Sequence, residues 1–315
     1  MTDSTVQKPP IVRNRRRQVA PDRTTVMGQG RFTAYLFSAP AIALVGAILI
    51  YPLLYGLYTS LFNSERLGAP QEFVGLDNYV QMFQNPAFTS ALRRTAIFVF
   101  GCLVLGLTLG MLFAFALNRL VARLRFLRAL TIVPYILSPV AAAVMFRILF
   151  NGDFGMINRV IEWFGIDGPR WLSNPVLAMT VVIVAQVWTD LPLTVLLLLA
   201  GLQTIDNSYL DAALVDGATG WRRAWHISIP LITPQVALST VFLSYATLTS
   251  LGVILALTGG GPLKATQTLP MEIYNTAFQS LRFNDALAMA TVVLFLNAVL
   301  TLIYVRLARR FRVDD

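Results

Sequence analysis

This chain of 315 residues contains one cysteine and one histidine. The single Cys102 excludes an intrachain disulfide and any cysteine-built metal cluster. It lies in an apolar run, where a thiol acts as a small hydrophobe. The single His226 excludes a histidine pair and His-rich metal sites. Charge is scarce as well. Asp, Glu, Lys and Arg make up 13% of the chain, against about 25% in soluble domains. HExxH and GxSxG are absent and the histidine lies outside the apolar runs, so the residues for intramembrane hydrolysis are missing. Also missing are internal repeats and a set of charges inside those runs, both common in self-contained secondary transporters.

What is present is apolar. Hydrophobic residues reach 56% and the mean hydropathy is +0.64. They come in runs of about 20, the length that crosses a hydrocarbon core roughly 30 Å thick. The pattern predicts an all-α polytopic protein of the lipid bilayer. Six transmembrane helices are expected, over about 32–58, 95–118, 129–149, 175–201, 233–257 and 286–305. The first run is too long for a signal-peptide core and reads as a retained span. Pro134 and Pro139 predict a kink in the third.

Between the spans lie polar segments. Residues 1–31 form a basic tail without apolar periodicity, expected to be disordered. In FVGLDNYVQMF, Asp77 is expected to cap a short surface helix with Tyr79, Val80 and Phe83 on one face. Ile157, Val160, Ile161 and Phe164 predict a second short helix, and a third is expected around 269–281 after TGGGPLKATQT.

An even number of spans puts both termini on one side. With the tail inside, 17 of the 25 Lys and Arg residues fall inside and 8 outside. Net charge is then +10 inside, 0 outside and −1 within the membrane, the last being Asp190. This bias places both termini in the cytoplasm. It also explains the net charge of +9 without a nucleic-acid partner, because the arginines flank apolar runs.

The stretch Leu202–Pro234 is a polar island between the fourth and fifth spans, on the cytoplasmic side. Asn207 or Ser208 can cap a helix through Val215. Gly217 permits a turn that a Cβ would resist. A second helix can start near Thr219 and run to about Ile227. Pro230 and Pro234 fit the start of the fifth span. Ala212, Ala213 and Ala218 are expected to keep the surface near the turn low. Asp211 offers a carboxylate, and Trp221 offers a large apolar contact.

The spacing Asp211-Ala212-Ala213, three residues, Gly217, nine residues, Ile227-Ser228-Ile229-Pro230 resembles the Glu-Ala-Ala loop of permease subunits of bacterial binding-protein-dependent ABC importers. Asp211 stands for the usual Glu, and Ile229 for the usual Leu. Asp216-Gly217-Ala218 with Trp221 is similar to the carbohydrate-uptake branch. So are Gly155-Met156-Ile157-Asn158, Trp171-Leu172-Ser173, Leu199-Ala200-Gly201-Leu202 and Leu257-Thr258-Gly259-Gly260-Gly261-Pro262. The similarity runs over about 33–310.

The resemblance implies a permease domain over 32–310, with a coupling loop at about 202–232 and a short cytoplasmic end at 311–315. It implies a non-catalytic subunit of the bacterial inner membrane. The implied partners are a second permease, two cytoplasmic ATPase subunits that bind ATP and Mg, and an extracytoplasmic substrate-binding protein. The implied substrate is a sugar, with di- or oligosaccharides first and trehalose among the candidates; polyols and glycerol-phosphate compounds are the alternative. Leu251 and Gly252 stand where many sugar permeases have an aromatic and a polar residue, so no complete sugar site carries over. Asp190, Tyr245 and Asn297 remain the polar candidates along the spans. Asp190 can accept from a substrate hydroxyl or from a neighbouring group. For Asn297, a hydrogen bond between helices is expected.

Overall fold

A computed structural model of the protein describes residues 29–63, 72–120 and 125–310. The expectations for the tail as far as residue 28, for Arg123 in the basic turn and for 311–315 lie outside these. The chain divides into two compact units, one ending at Leu54 and the other starting at Tyr55.

The first unit holds α1 (Gln29–Val45), a π-helical turn at Gly46–Ile50 and the start of α2 (Tyr51–Thr59). The second continues with a two-stranded antiparallel ribbon, β1 (Phe62–Asn63) and β2 (Glu72–Phe73), then α3 (Asp77–Gln84) and the long α4 (Pro86–Leu120). Next come α5 (Arg125–Ile136), α6 (Pro139–Leu149), α7 (Met156–Glu162) and α8 (Pro175–Thr204). The polar island forms α9 (Asn207–Val215), α10 (Gly220–Arg223) and α11 (Ile229–Leu231). The chain closes with α12 (Thr233–Leu248), α13 (Gly252–Leu257), α14 (Leu269–Tyr274) and α15 (Phe283–Arg310).

Among the described residues, four helices are long and apolar enough to cross a membrane: Phe37–Thr59, Pro86–Arg119, Pro175–Thr204 and Phe283–Leu307. A fifth is obtained if Gly220–Leu231 and Thr233–Leu248, bent by 77°, count as one. The expected third and fifth spans are thus not continuous helices. The third is divided at Leu137 and Ser138, because Pro139 lacks the N–H that would continue α5 and instead starts α6. The fifth is divided at Thr249–Leu251 into α12 and α13.

The core is organised around α8. Its N-terminus is closed by Asn174, whose Oδ1 accepts from the N–H groups of Val176 and Leu177 at 2.9 and 3.2 Å. Val181, Val182, Ala185, Val195 and Leu198 on this helix are fully buried. The α4 backbone approaches α8 closely. A Cβ on Gly101 would lie 2.7 Å from Ile183 Cδ1, and one on Gly110 the same distance from Thr194 Cγ2. Small residues at such crossings are the usual device where apolar lipid offers no hydrophobic drive for helix association.

The connecting segments depart from expectation in detail. Asp77 is the first residue of α3 and makes no capping hydrogen bond, so it favours the helix only through its charge in the first turn. The buried residues of α3 are Asn78 and Met82. Tyr79 packs against the core cluster around Met82 and Phe88, and the Phe83 ring meets Phe88 edge-on, but Val80 and Phe83 stay largely exposed, so the expected apolar face is only partly covered. The reason is polar. Asn78 donates to the carbonyls of Ser60 and Phe62 at 2.8 and 3.0 Å, and this turns α3 onto the ribbon. Phe164 lies beyond the end of α7 and is exposed.

Two of the family phrases meet in space. Asn158 Oδ1 accepts from the Trp171 indole N–H at 2.6 Å, while its amide nitrogen donates to the carbonyls of Gly152 and Pro169. Asn158 therefore ties α7 to the turn that precedes α8. The Thr258–Pro262 phrase closes on itself in the same way. Thr258 and Thr266 hydroxyls lie 2.7 Å apart, and Thr266 also donates to the Gly261 carbonyl.

Candidate functional site

The polar island folds as two short helices joined by a tight turn. Its first helix is capped one residue earlier than expected. Asp206 Oδ1 accepts from the Ser208 N–H at 2.8 Å, and this bond holds the Asp206 carboxyl below the usual carboxylate range. Neither Asn207 nor Ser208 is the cap; both lie inside α9.

The C-terminal end of α9 explains the three-residue gap before Gly217. The Ala218 N–H bonds the Ala213 carbonyl at 2.8 Å, and the Gly217 N–H bonds the Leu214 carbonyl at 3.1 Å. This pair of bonds is a Schellman motif, which needs a left-handed residue between its two arms. Gly217 supplies it with φ of 75°. A Cβ there would point into open space, so the requirement is backbone conformation alone.

The alanines divide by role. Ala212 is on the surface, Ala218 is half-buried, and Ala213 is buried at 3% exposure. Ala213 thus does not keep an outer surface low; it lets α9 sit against what lies beneath. Asp211, Val215, Asp216 and Trp221 are exposed and form the outer face.

The second helix starts at Gly220 and widens into a π-helical turn at Ala224–Ser228 before α11. It therefore runs past Ile227 to Leu231. Pro230 belongs to this arm and not to the start of α12, from which the arm is bent by 77°. The π turn sets Trp221 and Trp225 in a stack, with ring centroids 5.5 Å apart and planes 20° apart. Trp225 escaped sequence reasoning, although its spacing from Trp221 is one helical turn. Just past the arm, α12 meets α8 at Gly201, where a Cβ would lie 2.7 Å from Gln235 Cγ.

A second polar set lies inside the spans. Asp190 is buried on α8 and accepts from Gln186 Nε2 at 2.8 Å. Gln186 Oε1 in turn accepts from the Ser250 hydroxyl at 2.6 Å. Ser250 sits in the break between α12 and α13. The chain Ser250–Gln186–Asp190 joins two spans, and its first two members were not singled out by sequence. The missing signal was the helix break, which puts a serine where a helix-bound residue would have faced elsewhere.

Tyr245 and Asn297 do not join this chain. Tyr245 is exposed on α12. Asn297 donates to the Val293 carbonyl of its own helix at 3.1 Å, so the expected bond between helices is not formed. An amide can reach the carbonyl one turn back, and it does so here.

Comparisons with known proteins identify the family and the fold. A family profile described as binding-protein-dependent transport system inner membrane component matches residues 106–313. The sn-glycerol-3-phosphate transport system permease protein UgpA of Escherichia coli O6:K15:H31 is 35% identical over 279 residues, covering 88% of this chain and 94% of that protein. The sulfoquinovosyl glycerol transport system permease protein SmoG of Agrobacterium fabrum is 32% identical over 289 residues, covering 89% and 91%. Among solved structures, a chain of a bacterial alginate ABC transporter, in complex with an alginate pentasaccharide-bound periplasmic protein, shares the fold with a TM-score of 0.77. It does so at 21% identity, covering 91% of this chain and 97% of that one. Profile, relatives and fold agree: the chain belongs to the family of binding-protein-dependent transport system inner membrane components, as a non-catalytic, multi-pass permease subunit of an ABC importer.

Proposed function

We propose that this permease pairs with a second permease to form a path for a sugar-type substrate, and that the arm from α9 to α11 couples that path to two cytoplasmic ATPase subunits. The path crosses the membrane six times, with both termini in the cytoplasm. The divided segments α5–α6 and α12–α13 supply the third and fifth crossings. The charge bias supports this orientation. ATP and Mg belong to the ATPase subunits, and a soluble receptor delivers substrate to the outer face.

The observation that carries the coupling role is the closed turn at Gly217. Asp211, Val215, Asp216 and Trp221 are exposed on either side of it, on a polar arm between two spans. The arm continues through a bend into α12, so a push on it tilts the helix that ends at Leu248, two residues before Ser250. Within the path, Asp190, Gln186 and Ser250 are the groups for substrate hydroxyls. A carboxylate and an amide can accept and donate to a polyol. Tyr245 and Asn297 are kept as further path residues.

A di- or oligosaccharide is the favoured cargo, trehalose included. Among the described residues, no Lys or Arg hydrogen-bonds this set, and a carboxylate disfavours an anion. A second reading, a glycerol-phosphate or glycosylglycerol compound, is favoured by the names of the relatives.

The test is ATP-dependent uptake by the assembled transporter in proteoliposomes, with the ATPase retained on purification measured alongside. Asp211→Lys and Gly217→Trp are expected to abolish both. Wild-type uptake with both substitutions present would overturn the coupling role. Competition by unlabelled trehalose against glycerol-3-phosphate separates the two cargo readings.

A further inference from the structure

Beneath the arm lies a small cleft of about 60 Å³, and its walls are unusual in charge. Arg119, in the last turn of α4, and Arg223, at the end of α10, both line it. Asn118 and Ser228 add polar groups, and Phe115 and Leu210 are among its apolar wall residues. No Asp or Glu lines the cleft. Among the described residues the one ion pair is Arg282 with Asp285, so neither arginine is neutralised there.

Arg119 is exposed and Arg223 half-buried, so two like charges border one cleft with no acid among its walls, an arrangement that an anion would favour. The cleft volume is several times the roughly 10–15 Å³ that a single water needs. That is room for one tetrahedral anion. Guanidinium forks match phosphate oxygens in geometry as well as in charge. Arg119 also ends the apolar stretch that starts at Pro86. Leu112 and Phe113, two turns earlier, are exposed apolar residues. The cleft therefore lies at the end of an apolar helix of membrane-crossing length, where polar chain begins.

We propose that Arg119 and Arg223 hold the phosphate of an anionic membrane phospholipid between the end of α4 and the arm. The phosphate ties the arm to the leaflet that carries the anionic lipid. This is independent of whether the arm docks on an ATPase, because the cleft lies on its inner side, whereas Asp211, Asp216 and Trp221 do not line it.

The test uses the full-length chain with the subunits that co-purify, in nanodiscs of phosphatidylcholine with phosphatidylglycerol. Native mass spectrometry reads the lipid retained. Phosphatidylglycerol should be retained over phosphatidylcholine, and Arg119→Gln with Arg223→Gln should weaken that retention by about tenfold or more. The Arg119→Lys, Arg223→Lys pair keeps the charge and should keep most of the retention, which guards against a folding defect. Exposed Arg147→Gln should change nothing. Equal retention by the glutamine pair would overturn the site. Binding of inorganic phosphate in pure phosphatidylcholine discs, with no preference for phosphatidylglycerol, would overturn the lipid source. Loss of the ATPase with lipid retention unchanged would reassign the arginines to an acidic protein partner, and uptake assays of Asp211→Lys report the coupling role separately.

Discussion

The Ser250 hydroxyl donates to Gln186 Oε1 at 2.6 Å, across 64 residues of sequence. This bond fastens the break between α12 and α13 to the middle of α8. Gln186 then passes its other end to Asp190. One amide thus satisfies a carboxylate and a helix break inside the spans, where unpaired polar groups are costly.

Replacing Gln186 by Leu removes both bonds. Uptake by the assembled transporter should then show KM raised about tenfold, equivalent to about 1.4 kcal/mol, the scale of one hydrogen bond to a charged group. Asp190→Asn, which keeps a hydrogen-bonding side chain, should cost less. An unchanged KM for Gln186→Leu would remove this chain from the path.

Gly217→Ala tests the turn without adding bulk. The left-handed conformation costs a residue with a Cβ about 1–2 kcal/mol. Amide exchange across 207–231 should accelerate, with the helices of the core unaffected. Exchange indistinguishable from wild type would mean that the Schellman turn does not hold the arm.

The Asp206 cap makes α9 pH-sensitive in a defined direction. Its carboxyl is depressed by the Ser208 N–H. A depressed folded-state pKa contributes stability that is present above the ordinary Asp value and is lost as pH falls through the folded value. Protection of amides in 207–215 should therefore decline on acidification below the ordinary Asp range. Asp206→Asn should keep a cap but lose that pH dependence, as read by hydrogen exchange at two pH values.

Gly201→Val should separate α8 from α12. The added side chain meets Gln235 at distances a real Cβ does not tolerate. Overpacking of this kind costs about 1–3 kcal/mol, so the midpoint of thermal aggregation in detergent should fall. Truncating Gln235 to Ala in the same chain should restore part of it.

Asn158→Ala leaves the Trp171 indole N–H and two carbonyls without their partner. With the indole only half-buried, the cost should lie at the low end of the range of about 1–3 kcal/mol for an unsatisfied donor. The fluorescence of Trp171, measured in a variant lacking the other tryptophans, should shift as the ring gains access to water.

Much of the architecture was legible along the chain. Apolar runs of membrane length located α4, α8 and α15, because crossing lipid demands continuous helix and hence continuous sequence. The left-handed Gly217 was legible too, since a tight turn after a helix requires a residue free of Cβ strain. Asp206 as the cap was not, because Asp206, Asn207 and Ser208 are all competent acceptors and only backbone geometry chooses between them. Ala213 was misplaced for a similar reason: composition does not say which side of a short helix is covered.

The sequence by itself determined the class of protein, the polar arm and its turn, because these depend on local chemistry: hydropathy, capping groups and backbone freedom. Tertiary structure alone decided that Ser250 meets Gln186, that Asn158 meets Trp171 and that Arg119 shares a cleft with Arg223. Each pair is separated by 13 to more than 100 residues. Such meetings depend on how helices cross and where they break, and those are settled by packing against α8 rather than by any local signal.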